Sequence, residues 1–314
     1  MSNSKISLSL FFDVNRTYIT VSQLKNEVME LLYINSTEYP ITAFDDLQQI
    51  EEAGKSELLN ILNEIDFKFD EINIALPDNN FAITQIPFKP DITGKELTTL
   101  LGLEIKHFYE NKKFIELNYI LTPFFDNQSI GDYVFVTIYE NLIKKNLGSL
   151  LSSKGKVNRI ITNQFAALNS FKFNYPEYTN GNNLLLGMYE NELQVNLFKN
   201  GKPFEIYFRV HHGGNDLLNK SITEIQTLKD KYKLHNIKVF VYGNLLTASI
   251  LDKIALNFDK ADILRLNAFR KYTTKLGDRI KKYCSRTAHV YPACLGASLP
   301  DFTEQILLIP DENH

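Results

Sequence analysis

The pattern of apolar and polar positions predicts strands and helices along the whole chain. Period-two alternation and short apolar runs predict strands, and apolar residues that recur near every 3.6 positions predict helices. The predicted strands are residues 5–12, 17–24, 28–34, 72–76, 81–88, 115–121, 133–138, 157–162, 184–188, 192–198, 202–210, 237–241 and 261–264. The predicted helices are residues 44–65, 93–109, 140–153, 164–171, 216–232, 246–256, 274–283 and 289–299. Gly54 is a weak point inside the first of these helices and marks a candidate break.

Residues 184–222 form the stretch around which the chain is organised. An apolar strand is followed by an alternating strand, whose apolar face is Leu193, Val195 and Leu197 and whose polar face is Glu192, Gln194 and Asn196. Asn200-Gly201 is a hairpin turn signal, because both residues tolerate positive φ. After the return strand, Gly213-Gly214 opens a helix.

A second hairpin opens the chain, and its turn runs from Asp13 to Arg16. A backbone that wraps a phosphate must approach it closely and expose N–H groups, which glycine allows best. Asn15 can adopt positive φ but brings a side chain into that space. Arg16 could contact a phosphate directly or could simply be solvated.

These two hairpins resemble the "phosphate 1" and "phosphate 2" hairpins of the actin-like ATPase superfamily. Within it the chain is most similar to the PilM family of type IV pilus assembly proteins, relatives of the cell-division protein FtsA. Further matches are the "adenosine" segment at Gly243-Asn244, the "connect 1" segment 163–168 and the "connect 2" segment 292–299. The small residues of connect 2 allow two crossing helices to pack closely. The segment 72–109 resembles the 1C subdomain that distinguishes PilM and FtsA from actin.

The resemblance implies an α/β, actin-like (ribonuclease H-like) two-lobed fold with an inserted 1C-type subdomain. Residues 1–175 would form the first lobe and contain the insert at about 75–155. Residues 176–314 would form the second lobe, with the C-terminal helix at about 289–299 returning toward the first.

The nucleotide motifs depart from the family pattern. Gly187-Met188-Tyr189 stands where the family has Asp-x-Gly, and Asn163 or Gln164 stands in place of the connect 1 acid. Asn244 replaces the second glycine of the adenosine motif. The resemblance places a degenerate nucleotide cleft at Asp13, Asn15, Arg16, Thr17, Gly213, Gly214, Gly243 and Asn244. With no acid at Gly187 to organise a metal-bound water, we expect no catalytic residue, no ATP hydrolysis and no cofactor; bound ATP and Mg remain the alternative.

Composition adds limits on the function. The 314 residues include 44% hydrophobic and 23% charged positions, and the net charge of −3 gives no general attraction to nucleic acid. The charge is uneven, with ten acids in residues 36–71 and eight bases in residues 265–286. These runs are either solvated faces or, for the basic run, a docking surface for an acidic partner or anionic lipid headgroups. His211-His212 has no acid or cysteine at ligand spacing, so no metal site is predicted.

The resemblance implies a cytoplasmic scaffold of a pilus or secretion assembly. Its partner would be the short cytoplasmic tail of an inner-membrane protein, held in a groove between subdomains 1A and 1C, within residues 75–160. The chain would then be peripheral to the inner membrane through that partner, and a homo-oligomer remains open. The first alternative is a functional ATP-binding protein that switches or polymerises. A sugar or acetate kinase is the second, although no catalytic base for it is evident.

Overall fold

The computed structural model describes residues 4–26, 28–42, 44, 52–87, 94–109, 116–124, 133–199, 202–259 and 262–301. Its strands are β1 (Lys5–Phe12), β2 (Thr17–Lys25), β3 (Val28–Ser36), β4 (Glu71–Leu76), β5 (Ala82–Pro87), β6 (Leu117–Phe124), β7 (Tyr133–Glu140), β8 (Val157–Thr162), β9 (Asn183–Tyr189), β10 (Glu192–Lys199), β11 (Lys202–Val210), β12 (Lys238–Tyr242), β13 (Ile263–Arg265) and β14 (Thr273–Thr274). Its helices are α1 (Glu52–Glu64), α2 (Gly94–Phe108), α3 (Asn141–Leu150), α4 (Asn163–Asn174), α5 (Gly214–Tyr232), α6 (Ala248–Ala255), α7 (Asp278–Thr287) and α8 (Pro292–Gly296). Most elements agree with the sequence prediction to within a few residues at their ends.

The first lobe is built on a mixed sheet with the strand order β14-β3-β2-β1-β4-β8. β1 lies antiparallel to β2 and parallel to β4. Helices α1 and α3 cover one face, where Leu58 and Leu147 join the side chains of Leu8, Leu10 and Ile74 in one buried cluster. The centre of this sheet is therefore apolar on the helix side, where Leu8 and Leu10 of β1 alternate with Ser7 and Ser9 of the opposite face.

The second lobe is built on a sheet with the order β11-β10-β9-β12-β13. β9 pairs antiparallel with β10 and parallel with β12. Helix α5 covers one face through Leu217, Ile225 and Leu228, which pack with Leu186 and Val195. The opposite face of β9 and β12 turns toward the first lobe.

A smaller antiparallel sheet, in the order β5-β7-β6, lies between β4 and β8 in the chain. Helix α2 packs on it through Leu97, Leu101 and Ile105, which form a buried cluster with Val136 and Ile138. Helix α3 belongs elsewhere, since its buried side chains join the first-lobe cluster. The insert therefore has its own small core, while the domain limits given above stay a prediction.

Helices α4 and α8 cross between the two large sheets. Ala293, Gly296 and Ala297 of this crossing are buried, as the close packing of connect 2 requires. A Cβ built on Gly296 would lie 2.5 Å from the carbonyl carbon of Ala166 and closer still to its oxygen. The backbone of α8 thus touches the backbone of α4 directly.

Both lobes contribute to one continuous buried cluster around this crossing. Phe11 and Tyr18 enter it from the first sheet, and Tyr189, Phe240 and Tyr242 enter it from the second. The two lobes are therefore joined by a shared apolar core, in addition to the chain connections.

Three local predictions need correction or lie outside the described residues. The helix predicted at 274–283 begins at Asp278 instead, because Thr273 and Thr274 pair with β3 as strand β14 and donate hydroxyl hydrogen bonds to its carbonyls. Gly54 lies inside α1, in its first turn, where a Cβ would come 2.5 Å from the Pro40 carbonyl oxygen, and residues 45–51 of the helix predicted at 44–65 lie outside the described residues. The predicted Asn200-Gly201 turn lies outside the described part of the chain.

None of the helices in the described part of the chain combines the length and the apolar character that crossing a bilayer demands. Both cysteines are buried free thiols.

Candidate functional site

The first hairpin places Asp13 where the two lobes meet. The Asp13 amide donates to the Arg16 carbonyl oxygen at 3.0 Å and closes the turn. The Asp13 carboxylate is 3% exposed and accepts a hydrogen bond from the amide of Asn244, in the second lobe. Two predicted site residues from opposite ends of the chain are thus brought together.

Burial raises the pKa of Asp13 to about 7, and the negative charges of Glu190 and Glu192 add to the rise. A backbone hydrogen bond from Val14 and the charge of Arg16 oppose it. Loss of solvation is the largest cause, as expected for a carboxyl held in a low-dielectric setting without a buried cation. Asp13 therefore carries a proton through much of the range below neutrality.

The other residues of the first hairpin lie in two different environments. Asn15 and Arg16 are exposed at the tip of the turn. Thr17 is buried, and its backbone exchanges hydrogen bonds with Thr37, at 2.8 Å to the Thr37 hydroxyl and 2.9 Å from the Thr37 amide. The predicted site residues of this hairpin are therefore separated, since the backbone of Thr17 is bonded to Thr37 at the end of the β2–β3 pair.

The second hairpin shows what occupies the place of the missing family acid. A Cβ built on Gly187 would come 2.7 Å from Gln194 Oε1 and 2.7 Å from Cζ of Tyr242. Such a separation is too short for any side chain beyond hydrogen. The volume that an aspartate would need at this position is filled by two neighbouring side chains.

Tyr189 stands at the position of the family glycine, and its side chain turns inward. It is 3% exposed and packs edge-on against Phe11, with ring centroids 5.7 Å apart, and against Tyr242 at 6.0 Å. An aromatic contact between the two phosphate hairpins thus replaces the open loop found where a backbone surrounds an anion.

Gln194 is the centre of a buried polar network between the lobes. Its side-chain nitrogen donates to Asn163 Oδ1 at 2.7 Å, to Glu192 Oε1 at 2.7 Å and to Asp78 Oδ2 at 3.1 Å. Its oxygen accepts from the Tyr242 hydroxyl at 3.0 Å. The amide has two N–H protons for these three acceptors, so it makes two of the contacts at a time, and the contacts join β10, α4 and the turn after β4.

The two carboxyl groups of this network are held in an unusual state. Burial raises the pKa of Asp78 well above its ordinary value, and the neighbouring Glu192 raises it further. Burial also raises the pKa of Glu192. No lysine or arginine takes part in these contacts, and the hydrogen bonds from Gln194, from the Thr162 side chain and from the Gln164 backbone oppose the rise in the pKa of Asp78.

A second amide extends the network along α4. Gln164 is 1% exposed, and its side-chain nitrogen donates to Asn196 Oδ1 at 2.9 Å and to the Tyr207 carbonyl oxygen at 3.1 Å. Both residues that replace the connect 1 acid, Asn163 and Gln164, therefore join α4 to the second lobe. Thr162 caps this helix by accepting a hydrogen bond from the Phe165 amide.

The adenosine segment is also closed. Gly243 has φ of 108°, and a Cβ there would come 2.7 Å from the Met188 amide nitrogen and closer still to its carbonyl oxygen. Its own amide donates to the His289 carbonyl oxygen at 2.8 Å. The glycine is required for packing of the β12 end against β9, which leaves its backbone occupied.

Gly213 and Gly214 lie at the start of α5, beside the tip of the second hairpin. The His211 amide donates to the Asn191 carbonyl oxygen at 3.1 Å and its ring contacts the Tyr189 carbonyl oxygen at 2.8 Å, which fixes this position. His211 is buried and His212 is exposed, so the two rings do not converge. Within the described ranges, no group of three His, Cys, Asp or Glu side chains is placed to hold a metal ion.

Sequence reasoning missed Asp78, Glu192, Gln194, Asn196 and Tyr242 as cleft residues. Alternation assigned the three residues of β10 to a polar face, but it could not show that this face is covered by the other lobe. Gln194 and Asn196 are in fact 0% exposed. A signal existed in the pair formed by Gly187 and its strand partner Gln194, since a glycine opposite a long amide leaves room for the amide to fold over it.

Replacing Gln194 by leucine should destabilise the protein by about 2–3 kcal/mol, since Asp78, Glu192 and Asn163 would each lose a buried contact with its side-chain amide. Denaturant unfolding of the purified protein measures the change. Gln226→Leu, on the exposed face of α5, is the matched control and should change stability by no more than about 0.5 kcal/mol. Equal stability of the two variants would show that the network contributes nothing.

The two lobes, the shared crossing helices and the inserted sheet match a known architecture. The structure is similar to that of a "PilM-PilN type IV pilus biogenesis complex", with a TM-score of 0.68 and 12% sequence identity, over 93% of this chain and 97% of that chain. The chain has the PilM-like form of the actin-like fold. The fold expected from the sequence is thereby confirmed.

Two further solved structures have lower TM-scores. A Bacteroides thetaiotaomicron protein with an actin-like ATPase fold and unknown function has a TM-score of 0.49 at 12% identity, over 94% of this chain and 96% of that one. The cytoplasmic domain of EpsL, an inner-membrane component of the type II secretion system of Vibrio cholerae, has a TM-score of 0.44 at 11% identity, over 91% and 94%. No protein-family model and no curated protein sequence matches the chain.

Proposed function

We propose that this chain is a nucleotide-independent scaffold of a pilus or secretion assembly, which binds the short cytoplasmic tail of an inner-membrane protein. One observation carries the proposal that it works without nucleotide: the place of the phosphate 2 acid, at Gly187, is filled by Gln194 and Tyr242. The partner class is proposed from the likeness to PilM, which was solved in a complex named PilM-PilN.

Three features of the cleft disagree with a bound Mg-nucleotide. The aromatic contact between Phe11 and Tyr189 joins the two hairpins that would surround the phosphates. The Gly243 amide is bonded to the His289 carbonyl oxygen, and the Met188 backbone lies where a Cβ on Gly243 would be. Asp13, whose pKa is raised by burial, is poorly suited to hold a metal-bound water as a carboxylate. The shared core holds the two lobes together, which is the role that a bound nucleotide would otherwise have.

The proposed tail site is the junction between the inserted sheet and the first lobe. Phe81 and Tyr139 meet there edge to face at 5.5 Å, and Phe81 and Ile120 pack as half-buried side chains against the first-lobe core. Leu142, at the start of α3, is 43% exposed. An extended peptide with alternating apolar residues would cover such a strip and bond its backbone to a strand edge.

Titration of the protein with Mg-ATP, by calorimetry and by thermal shift, tests the first half of the proposal. We expect no saturable heat and no rise in melting temperature at millimolar nucleotide, because bound nucleotide would raise stability by mass action. Saturable binding that is lost in Asp13→Ala would favour the alternative, an ATP-binding protein that switches or polymerises.

The proposed binding of a membrane-protein tail is tested by placing a photo-crosslinking amino acid at position 142 in host cells and identifying the crosslinked protein by mass spectrometry. We expect the crosslinked protein to carry a single membrane anchor and a short cytoplasmic tail. A synthetic peptide of that tail should bind the wild type, and Leu142→Glu should weaken binding at least about tenfold by burying an unpaired charge. Leu256→Glu, at an 84% exposed leucine of the second lobe, is the matched control and should leave the affinity unchanged. Equal affinity of the two variants would place the tail elsewhere.

A further inference from the structure

Helix α7 carries its apolar and basic residues on separate faces. Ile280, Tyr283 and Cys284 belong to the inter-lobe cluster or pack against it, and the Tyr283 hydroxyl bonds to that of Tyr291 at 2.8 Å. The apolar side of α7 is therefore fully used within the protein. Whatever contacts the other side must do so through charge.

The outer side of α7 is a stripe of cations, named here the basic face and formed by Arg279, Lys282 and Arg286. These residues are exposed and spaced by three and four positions, so they lie above one another on the helix. Arg265 extends the stripe at one end, where its guanidinium donates to the Ser285 carbonyl oxygen at 3.3 Å. Like charges at this spacing repel one another, and a nearby anion would relieve that repulsion.

The acids around the basic face are bonded to other cations. Asp278 lies 3.8 Å from Lys281, and Glu30 lies 3.3 Å from Lys275. Within the described residues, Arg279, Lys282 and Arg286 take part in no ion pair. The basic face is thus a concentrated positive surface on a chain whose net charge is −3.

We propose that the basic face of α7 docks on the anionic headgroups of a phospholipid bilayer. The face is one side of a ten-residue helix, and from Arg279 to Arg286 it spans about 10 Å, the width of several headgroups. A helix side without a groove offers no backbone edge to an extended acidic peptide. It also presents no exposed aromatic ring, which single-stranded nucleic acid would use for stacking. Flexible cations on a convex surface fit a fluid layer of phosphates.

The contact is electrostatic, since no apolar side chain of α7 is free to insert. Each Lys or Arg near an anionic leaflet raises the partition coefficient of the protein onto the membrane about fivefold. The attraction extends only about 10 Å at 0.1 M salt and about 3 Å at 1 M. Docking should therefore be reversible and lost at high salt. It does not depend on the proposed tail site, and it would orient the scaffold on the same membrane.

Flotation with vesicles tests this docking. The wild-type protein should float with phosphatidylcholine vesicles that contain phosphatidylglycerol at low salt, and should not float with phosphatidylcholine alone or at high salt. The variant R279Q/K282Q/R286Q should lose roughly a hundredfold in partitioning, the product of three fivefold effects. The control K144Q/K145Q/K156Q removes the same charge from exposed positions of the first lobe and should lose less than about threefold.

Three outcomes would overturn the proposal. They are an absence of flotation with anionic vesicles at low salt, an equal loss in both variants, and equal binding to neutral vesicles. If poly-glutamate beads retain the protein with the same dependence on the basic face while vesicles do not, the face binds an acidic protein and the lipid assignment fails. Thermal unfolding of both variants confirms that each is folded, as expected for substitutions of exposed side chains.

Discussion

Replacing Gly296 by alanine should cost about 4 kcal/mol or more of the free energy of unfolding and lower the melting temperature by roughly 10 °C. The added methyl would meet the backbone carbonyl of Ala166, and it would come within 3.2 Å of the Ser170 amide nitrogen. Neither obstacle is a side chain that can rotate away, so α4 and α8 would have to separate. Their separation would open the core that joins the lobes. Thermal and denaturant unfolding measure the loss.

Gly102→Ala provides the control for that substitution. Gly102 lies in the middle of α2, and a Cβ there would meet nothing within 4 Å. An alanine at such a site should stabilise the protein by about 0.5–1 kcal/mol, because glycine loses more backbone entropy in a helix. If Gly296→Ala were as stable as wild type, the backbones of α4 and α8 would not be in contact, and another feature would have to hold the two lobes together.

The crossing shows which part of the fold was predictable. Small residues at Ala293, Gly296 and Ala297, in the segment that resembles connect 2, indicated close helix packing, and the pattern of residues 5–12 predicted a strand. The strand follows from a local pattern of the chain, whereas the close packing was implied by the resemblance. The predicted start of α7 was wrong, because Thr273 and Thr274 pair instead with β3, which is far away in sequence. Pairing over such a distance leaves no local pattern.

The cleft shows what the sequence could not supply. Loss of the family acid at Gly187 was evident, but the identity of its replacement was not. Gln194 and Tyr242 fill that space from a neighbouring strand and from the end of β12. Asp78 is the first residue of a short 3-10 helix after β4, where turn residues are common and give no sign of burial. A buried polar network depends on tertiary contacts among distant residues, so it can be found only once the lobes are assembled.

Asp13 gives the second large effect, which appears as a dependence of stability on pH. The pKa of Asp13 is about 7 in the folded protein and 3.8 in its ordinary state. Between these values the folded protein holds a proton that the unfolded chain has released. The contribution of protonated Asp13 to the free energy of unfolding is therefore complete below pH 3.8 and is lost as the pH rises toward 7. The full loss is of the order of 4 kcal/mol.

Asp13→Asn should remove this loss, because an amide is a neutral mimic of the protonated carboxyl and can still accept the hydrogen bond from Asn244. Near pH 4 the variant and wild type should differ little in stability. At pH 8 the variant should be the more stable by up to about 4 kcal/mol. Groups that do not interact with Asp13 cancel in this difference, including His289, whose pKa is lowered to about 4 by burial and by Arg265 and whose contribution has the opposite sign.

Urea unfolding of both proteins at a series of pH values measures the difference curve. Asp66→Asn, at an exposed acid, is the control and should give a difference within about 0.5 kcal/mol at every pH. A variant that is less stable than wild type at pH 8 would mean that the Asp13 carboxylate is stabilised as an anion in the folded protein. That result would restore Asp13 as a site for a cation or a metal-bound water, and it would count against a cleft that works without nucleotide. A rise in the stability of the variant, by contrast, would identify Asp13 as a neutral acid buried where the lobes meet.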